Sequence, residues 1–131
     1  MFDSKTRILI ADDMMTMRKL VKKSLSELGF NDFVEANDGA AAWTALNESP
    51  SPVGLIVSDW NMPNSTGVDL LKRVRASKFK DLPFILLTAE AEASQISEAL
   101  AAGVNGYVVK PFEIAALKLQ LETAHKKLKV G

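Results

Sequence analysis

The chain has 131 residues, the length of one compact domain, and its 16 basic and 16 acidic side chains cancel. That balance argues against a non-specific nucleic-acid binder, which needs a basic excess to displace counterions. With no cysteine and a single histidine, His125, it cannot build a disulfide, a thiolate zinc site or a histidine-based metal site. The N-terminal MFDSKTR lacks the apolar stretch of a signal peptide, and no apolar run approaches the ~20 residues of a membrane span. The expectation is a soluble, cytoplasmic protein with no nucleic-acid or membrane partner.

The first apolar run, RILIA at 7–11, is followed by helical spacing over 15–28. There Met17, Leu20, Val21, Leu25 and Leu28 share one stripe that stops at Gly29. FVEA at 33–36 precedes an alanine-rich segment at 39–47 with Trp43 and Leu46 three apart. ESPSPVG at 48–54 reads as a loop. GLIVS at 54–58 leads, past a turn, to a helix over 66–76 that starts near Ser65 or Thr66 and carries Val68, Leu71, Val74 and Arg75. PFILLT at 83–88 precedes a helix over 92–102 that runs to Gly103. GYVVK at 106–110 precedes a last helix over 113–128 with Ile114, Leu117, Leu121 and Leu128. Four of the five runs are nearly continuous in apolar residues, as strands buried on both faces are. Five alternations of strand and helix predict an α/β fold, a doubly wound five-stranded parallel sheet with helices on both faces.

Chemistry in open parallel sheets collects at the carboxyl ends of the strands. Strand one ends in Asp12-Asp13, strand three in Asp59, strand four in Thr88 and strand five in Lys110-Pro111. All are delivered to one edge. Three carboxylates brought together repel, and one holds a proton unless a cation intervenes. Lys110 supplies one positive charge, and a divalent ion with hard oxygen ligands, Mg²⁺, suits the rest. Carboxylates, magnesium, ammonium and hydroxyl make a phosphate-handling set, and an ionised aspartate can itself be the nucleophile.

ILIADD, VSDWNMPNSTG, LLTAEA and GYVVKPF, in that order, resemble the receiver domain of two-component response regulators. ADDMMTMRK, SDWNMPN and GYVVKPF are similar in particular to its single-domain chemotaxis members. The resemblance covers nearly the whole chain. It implies one receiver domain over 1–131 without an output domain, in a flavodoxin-like (βα)5 fold. The strand order 2-1-3-4-5 comes from the family, not from the residues. Asp59 is then the phosphoacceptor. Asp13 and Asp59 bind Mg²⁺ through carboxylates, Asp12 helps through water, and Asn61 lends its backbone carbonyl. Lys110 contacts the phosphoryl group, Thr88 hydrogen-bonds it and Tyr107 changes rotamer in response. Asn61 and Glu90 tune the phosphoryl lifetime, and the Lys110–Pro111 bond is cis. Output leaves through helix four, strand five and helix five, around Ile96, Tyr107 and Gln120. The implied partners are a CheA-like sensor histidine kinase, a FliM-like flagellar switch protein and a phosphatase. The only catalysis implied is the chain's own phosphorylation and dephosphorylation.

Each residue has a plainer reading. Asp12-Asp13 can cap a helix, Asp59 can sit in a turn, Thr88 can merely end a strand and Lys110 can be a solvated lysine. Tyr107 can simply pack. Met14, Met15 and Met17 read as core or rim packing and Trp43 as core. His125, in HKKLK, reads as solvent-exposed rather than as a phosphotransfer histidine. Several positions depart from the chemotaxis members. Glu92, Ala93 and Gln120 stand where lysines are usual, Met15 replaces a small polar residue, and the SPSP segment is longer. Three rivals remain. A dehalogenase-type aspartyl phosphatase wants an aspartate general acid where Asn61 stands. A flavin binder needs a hydroxyl-rich phosphate loop where Asp12-Asp13 would repel a phosphate. A stand-alone receiver of another pathway, in sporulation, stalk or phosphorelay signalling, shares the same site chemistry.

Overall fold

The computed structural model describes residues 2–62, 65–89, 93–110 and 112–130, of which 93 and 126–130 are described by backbone alone. Five strands, β1 (Arg7–Ala11), β2 (Asp32–Ala36), β3 (Leu55–Asp59), β4 (Phe84–Thr88) and β5 (Gly106–Val109), form one sheet in the order β2-β1-β3-β4-β5. Every pairing is parallel, with Ile8 opposite Leu55, Val57 opposite Ile85 and Leu86 opposite Tyr107. The helices between them are α1 (Met15–Glu27), α2 (Gly39–Glu48), α3 (Gly67–Arg75), α4 (Ala93–Ala101) and α5 (Ile114–Val130). Among the described residues no helix is long and apolar enough to cross a membrane.

Strand alternation divides the core into two layers. Leu9, Ile56, Phe84 and Leu86 face α2 and α3 on one side, packed with Ala42, Leu46, Leu71 and Val74. Ile8, Ile10, Leu55, Val57, Ile85 and Leu87 face α1 and α5 on the other, against Val21, Leu25, Leu117 and Leu121. All five residues of β3 and of β4 are buried, which is why those runs read as continuously apolar. Each fully buried Leu or Ile contributes about 1.5–3 kcal/mol relative to an exposed one. The two-sided burial thus holds the sheet, and with it the strand ends, as a rigid platform.

Helix ends follow their residues. Gly29, at φ 104°, closes α1, and Gly103, at φ 94°, closes α4; both adopt the left-handed conformation that glycine enters without a Cβ penalty. Thr66 and Asp69 form a capping box at the start of α3. Several expectations are corrected. Asp59 ends its strand as expected, but β3 spans Leu55–Asp59 where the sequence suggested 54–58. Leu20 is exposed, because the buried stripe of α1 runs through Val21, Ser24 and Leu25 and leaves Leu20 on its flank. Met14 and Met15 are exposed at the rim, while Met17 packs on the core. Trp43 packs on the core but is only half-buried, lying under Arg73 (4.5 Å) and edge-on to Phe79. His125 is half-buried against Phe2, with ring centroids 5.1 Å apart. Glu48 ends α2, so the loop is 49–54; it sits at the opposite end of the sheet from Asp59, where Gly54 donates to the Arg7 carbonyl and Arg7 to Ser49 Oγ.

Candidate functional site

The site begins with backbone. The Asp12 N–H donates to the Ala36 carbonyl (3.0 Å), continuing the β1–β2 ladder one residue past β1. The Lys110 N–H donates to the Thr88 carbonyl (2.7 Å), extending β4–β5 in the same way. The Trp60 N–H donates to the Leu87 carbonyl (2.8 Å) and so fixes the peptide that follows Asp59. Asp12 and Lys110 are therefore carried on hydrogen-bonded extensions of the sheet, and Asp59 on the last residue of β3.

Their charges meet. Lys110 Nζ lies 2.8 Å from Asp59 Oδ1 and 3.3 Å from Asp12 Oδ2. Asp12 is 1% exposed and Asp59 7%, whereas Asp13 is exposed. One carboxylate oxygen from each of Asp12, Asp13 and Asp59 lies within 4.8 Å of the others. Three negative charges against one ammonium leave an excess of two. A divalent, oxygen-seeking cation matches that excess and that donor set, so these residues fit Mg²⁺. Asp12-Asp13 is not the cap of α1, whose N-cap is Met14 with no side-chain cap hydrogen bond. Instead Asp12 Oδ1 accepts from the Met14 N–H (2.9 Å).

Burial pushes the Asp12 carboxyl above the usual aspartate range, and the Asp59 charge adds to it. The Met14 N–H and Lys110 work in the opposite direction. The folded protein thus holds the Asp12 proton more tightly than the unfolded chain does. Without a cation, this group's contribution favours the fold at low pH and is lost as pH rises from the ordinary aspartate range through the raised folded value. Asp12→Asn keeps an acceptor for the Met14 N–H and leaves Lys110 paired with Asp59. In metal-free buffer at neutral pH it is expected to stabilise the fold by on the order of 1 kcal/mol, because it removes one buried, mutually repelling carboxylate while Lys110 keeps Asp59 as its partner. Urea unfolding at pH 7 checks it, and a clear loss of stability would show that Asp12 is better satisfied than its surroundings indicate.

The other expected site residues are distributed as follows. Thr88 is buried at the end of β4, beside Val109 of β5. Asn61 is exposed in the loop after β3. Tyr107 is half-buried on β5 and packs on the α2–α3 core layer. Tyr107 and Gln120 line one groove of about 420 Å³ together with Phe112, Glu113 and Leu119. Ile96 is half-buried on α4. Glu90, Glu92 and the Lys110–Pro111 bond lie outside the described residues, as does the side chain of Ala93.

Three residues that touch the site were not singled out by sequence. Arg18 donates to the Asp12 carbonyl (2.7 Å), Ser58 Oγ to the Asp59 carbonyl (3.0 Å), and Gly67 packs directly on that same carbonyl. The only advance signal was the glycine at the start of a helix in NSTGVDLL. The Arg18 and Ser58 contacts depend on tertiary placement.

Comparison with known proteins agrees with this geometry. Residues 8–122 match the response regulator receiver domain. The chain is 49% identical over 123 residues to chemotaxis protein CheY-3 of Vibrio cholerae, covering 93% of each. It is 50% identical over 117 residues to chemotaxis protein CheY of Pseudomonas aeruginosa, covering 88% of this chain and 93% of that one. The structure of Vibrio cholerae CheY4 superposes with a TM-score of 0.82 at 31% identity, over 92% of this chain and 98% of that one. The receiver domain of the Francisella response regulator 1452 gives 0.82 at 31%, over 95% and 99%. A five-stranded sheet in this order, an acid cluster facing a lysine at its carboxyl edge and this extent of identity lead to one conclusion: the chain belongs to the response regulator receiver domain family.

Proposed function

We propose that the protein is a phosphorylation-dependent switch of the chemotaxis type, with Asp59 as phosphoacceptor. The observation that carries this reading is Lys110 Nζ at 2.8 Å from Asp59 Oδ1, at the end of a wholly buried strand and within a three-carboxylate cluster. An Asp59 oxygen attacks the phosphorus of a phosphohistidine, a P–O bond forms, and the P–N bond breaks with the electron pair leaving on the imidazole. Asp12, Asp13, Asp59 and the Asn61 carbonyl would hold Mg²⁺, which would supply charge neutralisation when bound. Lys110 then pairs with a phosphoryl oxygen in place of the free carboxylate. Asn61 and Glu90 set how long the group survives. The chain acts on no other substrate.

The added charge draws the Thr88 hydroxyl toward Asp59. Tyr107, opposite Leu86 on the neighbouring strand and two residues from the partner of Thr88, moves into the space this leaves. The α4–β5–α5 face around Ile96, Tyr107 and Gln120 is altered without unfolding. Its partner is a flagellar switch protein, the donor is a chemotaxis histidine kinase, and a phosphatase resets the state. The relatives named for chemotaxis support this assignment.

Binding of a flagellar switch protein to the beryllofluoride-activated chain tests the relay. Tyr107→Ala is expected to weaken it by about tenfold or more, the effect of truncating an aromatic anchor. Equal affinity for wild type and variant would place the output surface elsewhere.

A further inference from the structure

The Asp13 carboxylate has no fixed neighbour of its own. Asp12 is held at every polar atom: its N–H by Ala36, Oδ1 by Met14 and Oδ2 by Lys110. Asp13 is exposed, and no hydrogen bond or ion pair among the described residues holds its side chain. Its position must therefore be set through its backbone. Among the described residues, the carbonyl of the peptide joining Asp12 to Asp13 is held by the Arg18 guanidinium, with Nη1 2.7 Å from the Asp12 oxygen.

That guanidinium is itself fixed. Its side chain is 16% exposed, Nε donates to Glu35 Oε1 at 3.3 Å, and Lys22 holds the other Glu35 oxygen at 3.7 Å. Arg18 and Glu35 line one small cleft with Ala36, Asn37 and Ala41, immediately beside the acid cluster. The planar fork can thus join β2, through Glu35, to the peptide between the two acids. A lysine, with a single ammonium, lacks that two-point geometry.

We propose that Arg18 is a positioning residue for the cation site: by fixing the Asp12–Asp13 peptide plane it aims the Asp13 carboxylate at the ion. This rests on the reading that the cluster binds Mg²⁺. Groups that orient ligands from behind are worth about 10–100-fold in metal affinity where they have been removed.

The sign of the effect separates this role from plain electrostatics. Arg18 carries a positive charge near a cation site. If charge were its only influence, neutralising it would tighten Mg²⁺ binding. Loss of positioning has the opposite consequence.

The test is calorimetric titration of MgCl₂ into wild type, Arg18→Met and Arg18→Lys, with thermal melts of each in metal-free buffer. Arg18→Met is expected to raise the Mg²⁺ Kd about tenfold. Arg18→Lys keeps the charge and the fold and is expected to raise it about three- to fivefold, since charge alone predicts no change there. An unchanged or lower Kd in Arg18→Met, or an unchanged Kd in Arg18→Lys, overturns the proposal. If Arg18→Met fails to fold, Arg18→Lys decides alone. A wild-type protein that binds no Mg²⁺ overturns the underlying metal reading instead, so the two failures are distinct.

Discussion

Asp59→Asn is expected to take up no phosphoryl group from acetyl phosphate and Mg²⁺, with labelling at background. A neutral amide is not a competent nucleophile toward phosphorus, and of the three clustered carboxylates Asp59 alone is both partly accessible and closely paired with Lys110. Asp12 is 1% exposed, with one oxygen already accepting from the Met14 N–H. Asp13 is exposed, and among the described residues no ammonium pairs with it, since Lys110 reaches Asp59 and Asp12. The loss does not come from unfolding. Asparagine is isosteric with aspartate, and removing one negative charge from a cluster with an excess of two relieves repulsion. Lys110 keeps Asp12 as a partner at 3.3 Å. Intact-mass analysis and far-UV circular dichroism on the same samples separate chemistry from folding. Wild-type labelling of a folded Asp59→Asn protein, mapped to Asp13, would show that the exposed acid is the acceptor.

Much of this was legible in the residues, for a physical reason. Strands buried on both faces have to be apolar, so RILIA, LIVSD and FILLT announce themselves, and a charge at the end of such a run is conspicuous. The convergence of Asp12, Asp59 and Lys110 followed from parallel alternation alone, because crossover connections bring every strand's carboxyl end to one edge. The strand order did not follow from the residues; it came with the family. What failed was one-residue phase. Leu20 is as apolar as Leu25, but α1 turns about 100° per residue, and being one position off the stripe exposes it. Trp43 packs on the core, as a large apolar residue should, but its half-buried place between Arg73 and Phe79 depends on how α2 meets α3. The hold of Arg18 on a carbonyl was invisible, since no periodicity marks which basic side chain of MRKLVKK turns inward.

The glycine that ends NSTG is where the second large effect is expected. Gly67 opens α3, and its N–H donates to the Trp60 carbonyl at 2.8 Å. It is not among the glycines at positive φ, so its backbone is one that alanine adopts freely. Propensity and chain entropy then favour Gly67→Ala by about 0.5–1 kcal/mol. Space argues the other way. A Cβ built on Gly67 falls 2.3 Å from the Asp59 carbonyl oxygen and 2.8 Å from Leu86 Cδ2. Leu86 is a flexible tip that can rotate, though it is 0% exposed and packed; the carbonyl is backbone and cannot. Either α3 must lift from the sheet or the end of β3 must shift. Crowding of this kind in a closed core costs about 1–3 kcal/mol and sometimes more, so steric conflict outweighs propensity. Gly67→Ala is expected to destabilise by about 3 kcal/mol, since the clash is with backbone and no rotamer change relieves it. Because the displaced atom belongs to Asp59, Mg²⁺ affinity and acetyl-phosphate labelling should fall together in the fraction that remains folded. Urea unfolding measures the first and titration of the folded protein the second. A stability equal to or above wild type would mean that α3 moves away at no cost, and that the close approach of Gly67 to Asp59 is not what holds the acceptor in place.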